Sequence, residues 1–188
     1  NFLNGELQII DGKLTLCNHE SIFTFSSNID YDDSIDISIA QKYLKTIIPS
    51  EKEQMYLLEG LAVGLFPIVR DYLTFDDFYI NEGNGANGKS VLFEHIIPEI
   101  FGKAAIANLS LEDISEKFAL YGLTGKRLNI STEIDSRHLK ENRYLKAFTS
   151  GDTVTVNRKH HDGFQSNIDA ISFLCTNKKI IIPSNISD

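Results

Sequence analysis

The sequence has few cysteines, no long apolar run and no excess of positive charge. Cys17 and Cys175 are its only cysteines, and their wide separation excludes the paired spacing of a zinc site. Cys175 ends an apolar run, which predicts a buried free thiol. The apolar stretch over residues 57–69 is interrupted by Glu59, and no stretch approaches the roughly 18 apolar residues that cross a bilayer. The sequence therefore predicts no membrane association.

The first residues show none of the features of a signal peptide for export. The chain begins Asn-Phe-Leu-Asn, without an initiator Met, a basic stretch or an apolar signal region. We therefore interpret the chain as a fragment of a longer protein and expect it in the cytoplasm.

The composition is that of a globular protein with an acidic balance. Hydrophobic residues make up 42% and charged residues 23% of the 188 positions, which excludes disorder and fits one domain with an attached subdomain. The 18 Lys and Arg against 26 Asp and Glu give a net charge of −8, which argues against a surface built for general nucleic-acid binding. Cations nevertheless cluster over residues 137–159, where Glu141 and Asp152 are the only acids, so a local basic contact remains open.

Residues 1–66 are predicted to form a hairpin and a helical accessory region. Asp11 and Gly12 separate two apolar runs, which predicts a tight turn between antiparallel strands. Apolar residues at helical spacing predict helices over 36–48 and 50–66, and Ser50 with Glu53 forms a capping-box pattern at the start of the second.

Residues 67–188 are predicted to form the sheet domain. Short apolar segments alternate here with helical ones, which predicts an α/β fold with a central, mainly parallel sheet. The segments are residues 75–80, 91–97, 128–132, 139–148 and 171–175.

A glycine-rich loop lies between the first apolar strand and the following helix of this domain. Its residues match G-x-x-x-x-G-K-[ST] at every defined position and are Gly83, Asn84, Gly85, Ala86, Asn87, Gly88, Lys89 and Ser90. Glycines let successive backbone N–H groups converge on phosphate oxygens, Lys89 would reach the β- and γ-phosphates, and Ser90 would bind Mg²⁺. The alternative is a chance turn, for which ordinary residue frequencies give roughly one per cent. The loop therefore predicts nucleotide binding.

Polar residues at two strand ends are candidates to complete an ATPase site. Glu133 directly follows the strand over 128–132 and could hold the metal's water shell or polarise the attacking water, with Asp135 as a weaker candidate. Asn177 follows the strand over 171–175 and could sense the γ-phosphate. A surface acid and a turn Asn are the alternative interpretations.

A basic hairpin is predicted over residues 153–164. Thr153 to Val156 alternate as a strand, and the tip contains Arg158, Lys159 and His160. Such a tip could contact the phosphate backbone of DNA, although a solvated hairpin end is the simpler interpretation of these residues alone.

Together these motifs resemble the superfamily 3 helicase domain, an AAA+ family, at the C-terminus of phage and plasmid primases. The likeness covers nearly the whole chain. The motifs that carry it are Asn87-Gly88-Lys89-Ser90, Gly125-Lys126-Arg127, Thr132-Glu133, Lys146 with Thr149-Ser150-Gly151-Asp152, Arg158-Lys159 and Thr176-Asn177. The resemblance implies an AAA+ P-loop NTPase core that uses ATP and Mg²⁺. It implies catalytic roles for Lys89, Glu133 and Asn177, metal binding by Ser90 and Glu133, and DNA contacts by Lys146, Arg158, Lys159 and His160.

The same resemblance implies a DNA helicase motor of phage or plasmid replication. It would act on single-stranded or forked DNA as a homo-oligomeric ring, usually a hexamer, in the bacterial host cytoplasm. Two features differ from the family: no Arg follows Asn177 as an arginine finger, and the next Pro after Asn177 comes only at Pro183. We therefore expect slow hydrolysis by this fragment. A P-loop small-molecule kinase and a non-catalytic, nucleotide-dependent assembly module are the alternatives.

Overall fold

The structure is a computed structural model. It describes residues 1–18, 20, 25–66, 78–83, 85, 87–114, 116, 118–132 and 153–177. The predicted segment 139–148 and the boundary at Pro67 lie outside these residues, so the predictions for them, and the division into 1–66 and 67–188, stay predictions.

The N-terminal hairpin is confirmed. Strands β1 (Glu6–Ile10) and β2 (Lys13–Cys17) pair antiparallel, with Ile10 opposite Lys13. Both turn residues adopt left-handed backbone angles, with φ of 50° at Asp11 and 75° at Gly12. A two-residue turn with positive φ at both positions matches the right-handed twist of the strands, which is why this dipeptide sets the register.

The two predicted helices are also confirmed. Helix α1 spans Ser38–Ile47 and helix α2 spans Glu51–Leu65. The Ser50 hydroxyl accepts a hydrogen bond from the Glu53 backbone N–H at 3.4 Å, as the capping pattern predicts. The start of α1 is fixed by the preceding Asp36, whose carboxylate accepts from the Ser38 backbone N–H at 2.9 Å.

The centre of the fold is a parallel four-stranded sheet, which confirms the predicted fold class. Its strands are β3 (Tyr79–Glu82), β4 (Ile106–Ala107), β5 (Leu128–Ser131) and β8 (Ile171–Thr176), in the spatial order β3-β8-β5-β4. Strand β3 continues two residues past its predicted end at Ile80, because its pairing with β8 extends to Glu82 opposite Thr176. A separate hairpin pairs β6 (Val154–Val156) with β7 (Phe164–Ser166), as predicted.

The helix after the glycine-rich loop begins with an unusual turn. Residues Val91–Ile96 form a π-helical segment, α3, in which the Ile97 N–H donates to the Leu92 carbonyl, and α4 (Ile97–Phe101) continues the same helix. The short helix α5 (Leu111–Ile114) and the two-residue strand β4 were not predicted, because segments of this length carry no measurable periodicity.

Two apolar layers cover the two faces of the sheet. One layer holds α2, α3 and α4 and includes Leu57, Phe93, Phe101, Leu128 and Phe173. The other includes Ile114, Leu120, Leu123, Val156 and Ile168. All six residues of β8 are buried, as expected for a strand with a neighbour on each side and a layer on each face.

Helix α2 approaches the sheet closely through glycine. A Cβ at Gly60 would lie 2.5 Å from the Tyr79 ring, and a Cβ at Gly64 would lie 2.7 Å from a Leu128 methyl group. Any larger residue would push the helix away, so the predicted accessory region packs directly on the sheet.

The buried thiol predicted at the end of β8 is also confirmed. Cys175 is buried and free, and Cys17 is free and half-buried. Burial raises the pKa of the Cys175 thiol to about 12, while nearby Lys89 acts in the opposite direction. The thiol therefore stays protonated at neutral pH and acts as a small apolar side chain. In the part of the chain that the structure describes, no helix is long and apolar enough to cross a membrane.

Candidate functional site

The glycine-rich loop leaves β3 at the carboxyl edge of the sheet. The Gly83 N–H donates to the Thr176 carbonyl at 3.1 Å, so the first loop residue is tied to the last residue of β8. Because β3 and β8 are parallel neighbours, the residue that follows β8, Asn177, lies at the same edge. The strand order thus brings together Gly83 and Thr176, which are 93 positions apart in the sequence.

The loop has the backbone shape that a phosphate cradle needs. Gly85 and Gly88 have φ of 81° and 84°, which residues with a Cβ rarely adopt. A Cβ at Gly83 would collide with the Asn87 amide nitrogen and with Lys89 Nζ. The loop therefore fits the nucleotide phosphates predicted for it. Asn84 and Ala86 lie outside the described residues.

Lys89 points along the sheet edge toward the end of β8. Its Nζ donates to Asn177 Oδ1 at 3.1 Å and to the Thr176 carbonyl at 3.3 Å. Two residues predicted separately as catalytic are therefore in direct contact. Both acceptors are uncharged, so neither of them neutralises the charge of the ammonium at the mouth of the loop.

Of the two residues predicted to bind the metal, Ser90 and Glu133, the structure describes only Ser90. Ser90 is exposed at the start of the helix after the loop, where a hydroxyl can reach a ligand on the loop. Strand β5 ends at Ser131, with Thr132 exposed after it, but Glu133 lies outside the described residues. No group of three or more His, Cys, Asp or Glu side chains that could hold a metal occurs among the residues described. Ser90 and Glu133 therefore stay predictions.

Helix α1 contacts the loop, which the sequence did not predict. The Tyr43 hydroxyl donates to the Gly88 carbonyl at 3.0 Å. A Cβ at Gly88 would lie 2.5 Å from Ile47 Cγ2, so α1 packs directly against this glycine. Tyr43 and Ile47 are four residues apart on the apolar face of α1, a pattern that indicates burial and gives no sign of the partner.

The predicted basic hairpin has an exposed, polar tip. Arg158, Lys159 and His160 are all exposed, and His160 has a left-handed φ of 62°. The Arg158 guanidinium lies 5.2 Å from the centre of the Tyr121 ring, a cation–π distance that holds this side chain toward the body of the domain. No sequence pattern indicates this contact. Lys146 lies outside the described residues.

Aromatic and polar contacts hold β3, β5 and β8, the strands whose ends form the site, in the core. The Tyr79 and Phe173 rings stack at 4.8 Å, and the Phe93 ring lies 5.7 Å from Phe173. Buried Asn129 accepts from the Leu109 N–H at 2.8 Å and donates to Ser172 Oγ at 3.1 Å, which fixes β5 against β8. These contacts determine the relative positions of the strands whose ends form the site.

Comparison with solved structures identifies the fold. The A form of the apo NrS-1 C-terminal region aligns with a TM-score of 0.62 and 17% identity over 97% of this chain. A second apo structure of that region, residues 305–718, aligns with a TM-score of 0.57 and 16% identity over 92% of the chain. The neighbours also include JCV helicase bound to an acetamide compound, with a TM-score of 0.49 and 14% identity over 77% of this chain and 40% of the helicase chain.

The chain corresponds to a part of these longer structures. It spans 42% of the first NrS-1 chain and 41% of the second. At these identities the likeness establishes the fold alone. No curated protein matches the sequence. A family model does match, over residues 82–188 of the 188-residue chain, and the protein therefore belongs to the family of unknown function DUF5906.

Proposed function

We propose that this chain is the nucleotide-binding part of an ATP-driven DNA helicase motor of phage or plasmid replication. The observation that carries the proposal is the contact between Lys89 Nζ and Asn177 Oδ1, 3.1 Å apart beside a loop of left-handed glycines. A phosphate-binding lysine and a polar group at the end of the adjacent strand are the two parts that a nucleoside triphosphatase must bring together.

ATP with Mg²⁺ fits the residues at this edge. Bound there, it would supply the phosphoanhydride whose hydrolysis drives the motor. Lys89 would hold the β- and γ-phosphates, and Ser90 would hold the metal through its hydroxyl. Lys89 Nζ donates to Asn177 Oδ1, so a bound phosphate would compete for the ammonium and change the environment of the end of β8.

The basic hairpin would be the part that contacts DNA. The whole chain has a net charge of −8, but salt at about 0.1 M screens interactions between charges more than about 10 Å apart. Distant acidic residues would therefore not cancel the attraction between the exposed cations of the hairpin and DNA. Several copies of the hairpin around a ring, hexameric in the full-length protein, would direct many cations at one phosphate backbone. Strand β8 follows the hairpin directly and ends at the nucleotide site, which gives a short covalent path between the two.

The deciding experiment is an ATPase assay on a chain that extends past Asp188, with and without single-stranded DNA. We expect turnover that DNA stimulates. Transfer of the γ-phosphate to a nucleoside or nucleotide would instead support a kinase. A nucleotide-dependent change of oligomer mass without turnover would support an assembly module. Absence of stimulation by several DNA structures, with folding verified, would reject the helicase motor.

Replacing Lys159 by Ala is expected to weaken DNA binding. If the tip contacts phosphate, each lost cation lowers the slope of log affinity against log salt by about 0.7 for single strands, regardless of base sequence. Fluorescence anisotropy of labelled DNA at several salt concentrations measures that slope. Lys13→Ala, which removes the same charge from the exposed strand β2, is the matched control. An unchanged slope in Lys159→Ala would assign the tip to the solvated surface.

Replacing Glu133 by Gln is expected to preserve ATP binding and lower turnover by about a hundredfold or more. The carboxylate would act mainly in the reaction, as a group that polarises water, and such groups contribute about 10² to 10⁴ in rate. Phosphate release under single-turnover conditions measures the effect. Glu99→Gln, at an exposed position of α4, serves as the control. Equal turnover in both variants would remove Glu133 from the site.

A further inference from the structure

Helix α2 is apolar on two opposite faces. The residues that are buried on the side of the sheet are Leu57, Gly60, Val63 and Gly64. A second set of apolar residues is exposed at spacings of three, four and three, and we call it the outer stripe: Met55, Leu58, Ala62 and Leu65. With about 3.6 residues per turn, this spacing forms one line along the helix, on the side opposite the buried residues.

The outer stripe is the kind of surface that another helix covers. Met55, Leu58 and Leu65 are 56%, 45% and 39% exposed. Single exposed apolar side chains are ordinary, but a helix that packs only on a sheet has a polar outer face. Alternating steps of three and four residues are the spacing of helix–helix contacts. The stripe therefore indicates an interaction surface.

The charges beside the outer stripe match those of helix α1. Glu51 and Glu59, both exposed, lie four residues before and after Met55. Helix α1 contains lysines and no acidic residue, and Lys42 is exposed with Ile39 three residues before it. An exposed aliphatic side chain beside a cation complements an apolar stripe beside carboxylates.

The two surfaces cannot meet within one chain. Leu44 and Ile47 of α1 pack against the same apolar layer as the buried face of α2. Lys42 lies on the side of α1 that faces away from these residues, and the outer stripe also faces away from the layer. The complementary surface for the outer stripe must therefore come from another molecule.

We propose that the outer stripe of α2 binds helix α1 of a second copy of this chain, with Lys42 of one copy next to the glutamates of the other. The contact joins two different surfaces, so each bound copy keeps one free surface for a further copy. Such head-to-tail contacts produce a ring when the rotation between copies closes. The inference rests on the proposed ring and deepens it by naming a surface that joins its copies.

The test measures the mass of the chain in solution. Sedimentation velocity without nucleotide is run on the chain extended past Asp188 and on its Leu58→Asp variant. We expect the wild type to self-associate and Leu58→Asp to associate at least about tenfold more weakly, because burial of the leucine is lost and a carboxylate would be buried instead. Leu14→Asp, on strand β2 and 52% exposed, is the matched control and should associate like the wild type.

A mixing experiment tests the pairing of α1 with α2. Lys42→Glu impairs the α1 surface and leaves the outer stripe intact, whereas Leu58→Asp does the reverse. Each variant alone should be monomeric at concentrations at which the wild type assembles. An equal mixture should form dimers, because one intact surface of each kind remains. A mixture that stays monomeric would overturn the head-to-tail contact.

The outcomes separate this inference from the proposed function. A monomeric wild type, or equal self-association of the wild type and Leu58→Asp, would reject the second copy as the partner. If Leu58→Asp also unfolded at a lower temperature in a monomeric chain, a segment of the same chain would be the cover. ATP binding by a monomeric chain would reject this inference and leave the phosphate site standing. Assembly through the stripe without ATP binding would reject the phosphate site and support the contact.

Discussion

Lys89→Ala is expected to weaken ATP binding by about a hundredfold or more. Charge-assisted hydrogen bonds to phosphate contribute about 1.5–3 kcal/mol, and about 3 kcal/mol corresponds to a hundredfold in affinity. The ammonium already lies at the mouth of the loop, where Asn177 Oδ1 and the Thr176 carbonyl hold it at 3.1 and 3.3 Å. Little reorganisation is needed for it to meet a phosphate, so its loss should appear almost fully in the affinity. Calorimetry with ATP measures the effect.

A second lysine variant tests whether the loss is local. Lys45→Ala removes the same charge from an exposed position in the last turn of α1, on the helix that contacts the loop. It should bind ATP like the wild type. Retained micromolar affinity in Lys89→Ala, in a chain that unfolds at the wild-type temperature, would contradict the assignment of the loop as a phosphate cradle.

Phe173→Ala is expected to lower the free energy of unfolding by about 3–5 kcal/mol. The ring is fully buried at the centre of β8, stacked on Tyr79 and tilted against Phe93. Domains of this size have a total stability of about 5–15 kcal/mol, so the loss would remove a large share of it. Chemical denaturation followed by circular dichroism measures the change.

The same substitution should also affect the nucleotide site. Tyr79 precedes the phosphate loop and Phe93 follows it, so Phe173 joins the two elements that hold the loop ends. Phe164→Ala, on the more exposed hairpin strand β7, is the control and should cost far less stability. Similar losses for both variants would mean that the aromatic contacts of β8 do not hold the core together.

The features that the sequence predicts well depend on neighbouring residues. The turn at Asp11 and Gly12 requires only two backbone conformations, and the cap at Ser50 requires only a hydroxyl three residues before an N–H group. The strand 171–175 is visible because a strand that is covered by a layer on each face is mostly apolar. The pattern of the glycine-rich loop is local in the same sense, and two of its glycines, Gly85 and Gly88, have left-handed backbone angles.

The features that were missed join distant parts of the chain. The hydrogen bond from Tyr43 to Gly88 spans 45 positions, and that from Asn129 to Ser172 spans 43. An Asn inside a strand or a Tyr on an apolar helix face gives no information about its partner until the elements pack.

The contact of α1 with Gly88 has a consequence for any attempt to isolate the part of the chain that follows Pro67. A chain that begins at Pro67 would lose the Tyr43 hydroxyl, which donates to the Gly88 carbonyl, and the aliphatic cover that Ile47 gives this glycine. It would also uncover the sheet face beneath Gly60 and Gly64. We therefore expect a chain without the first 66 residues to be less stable than the intact chain, because part of the glycine-rich loop and one face of the sheet would be exposed to water.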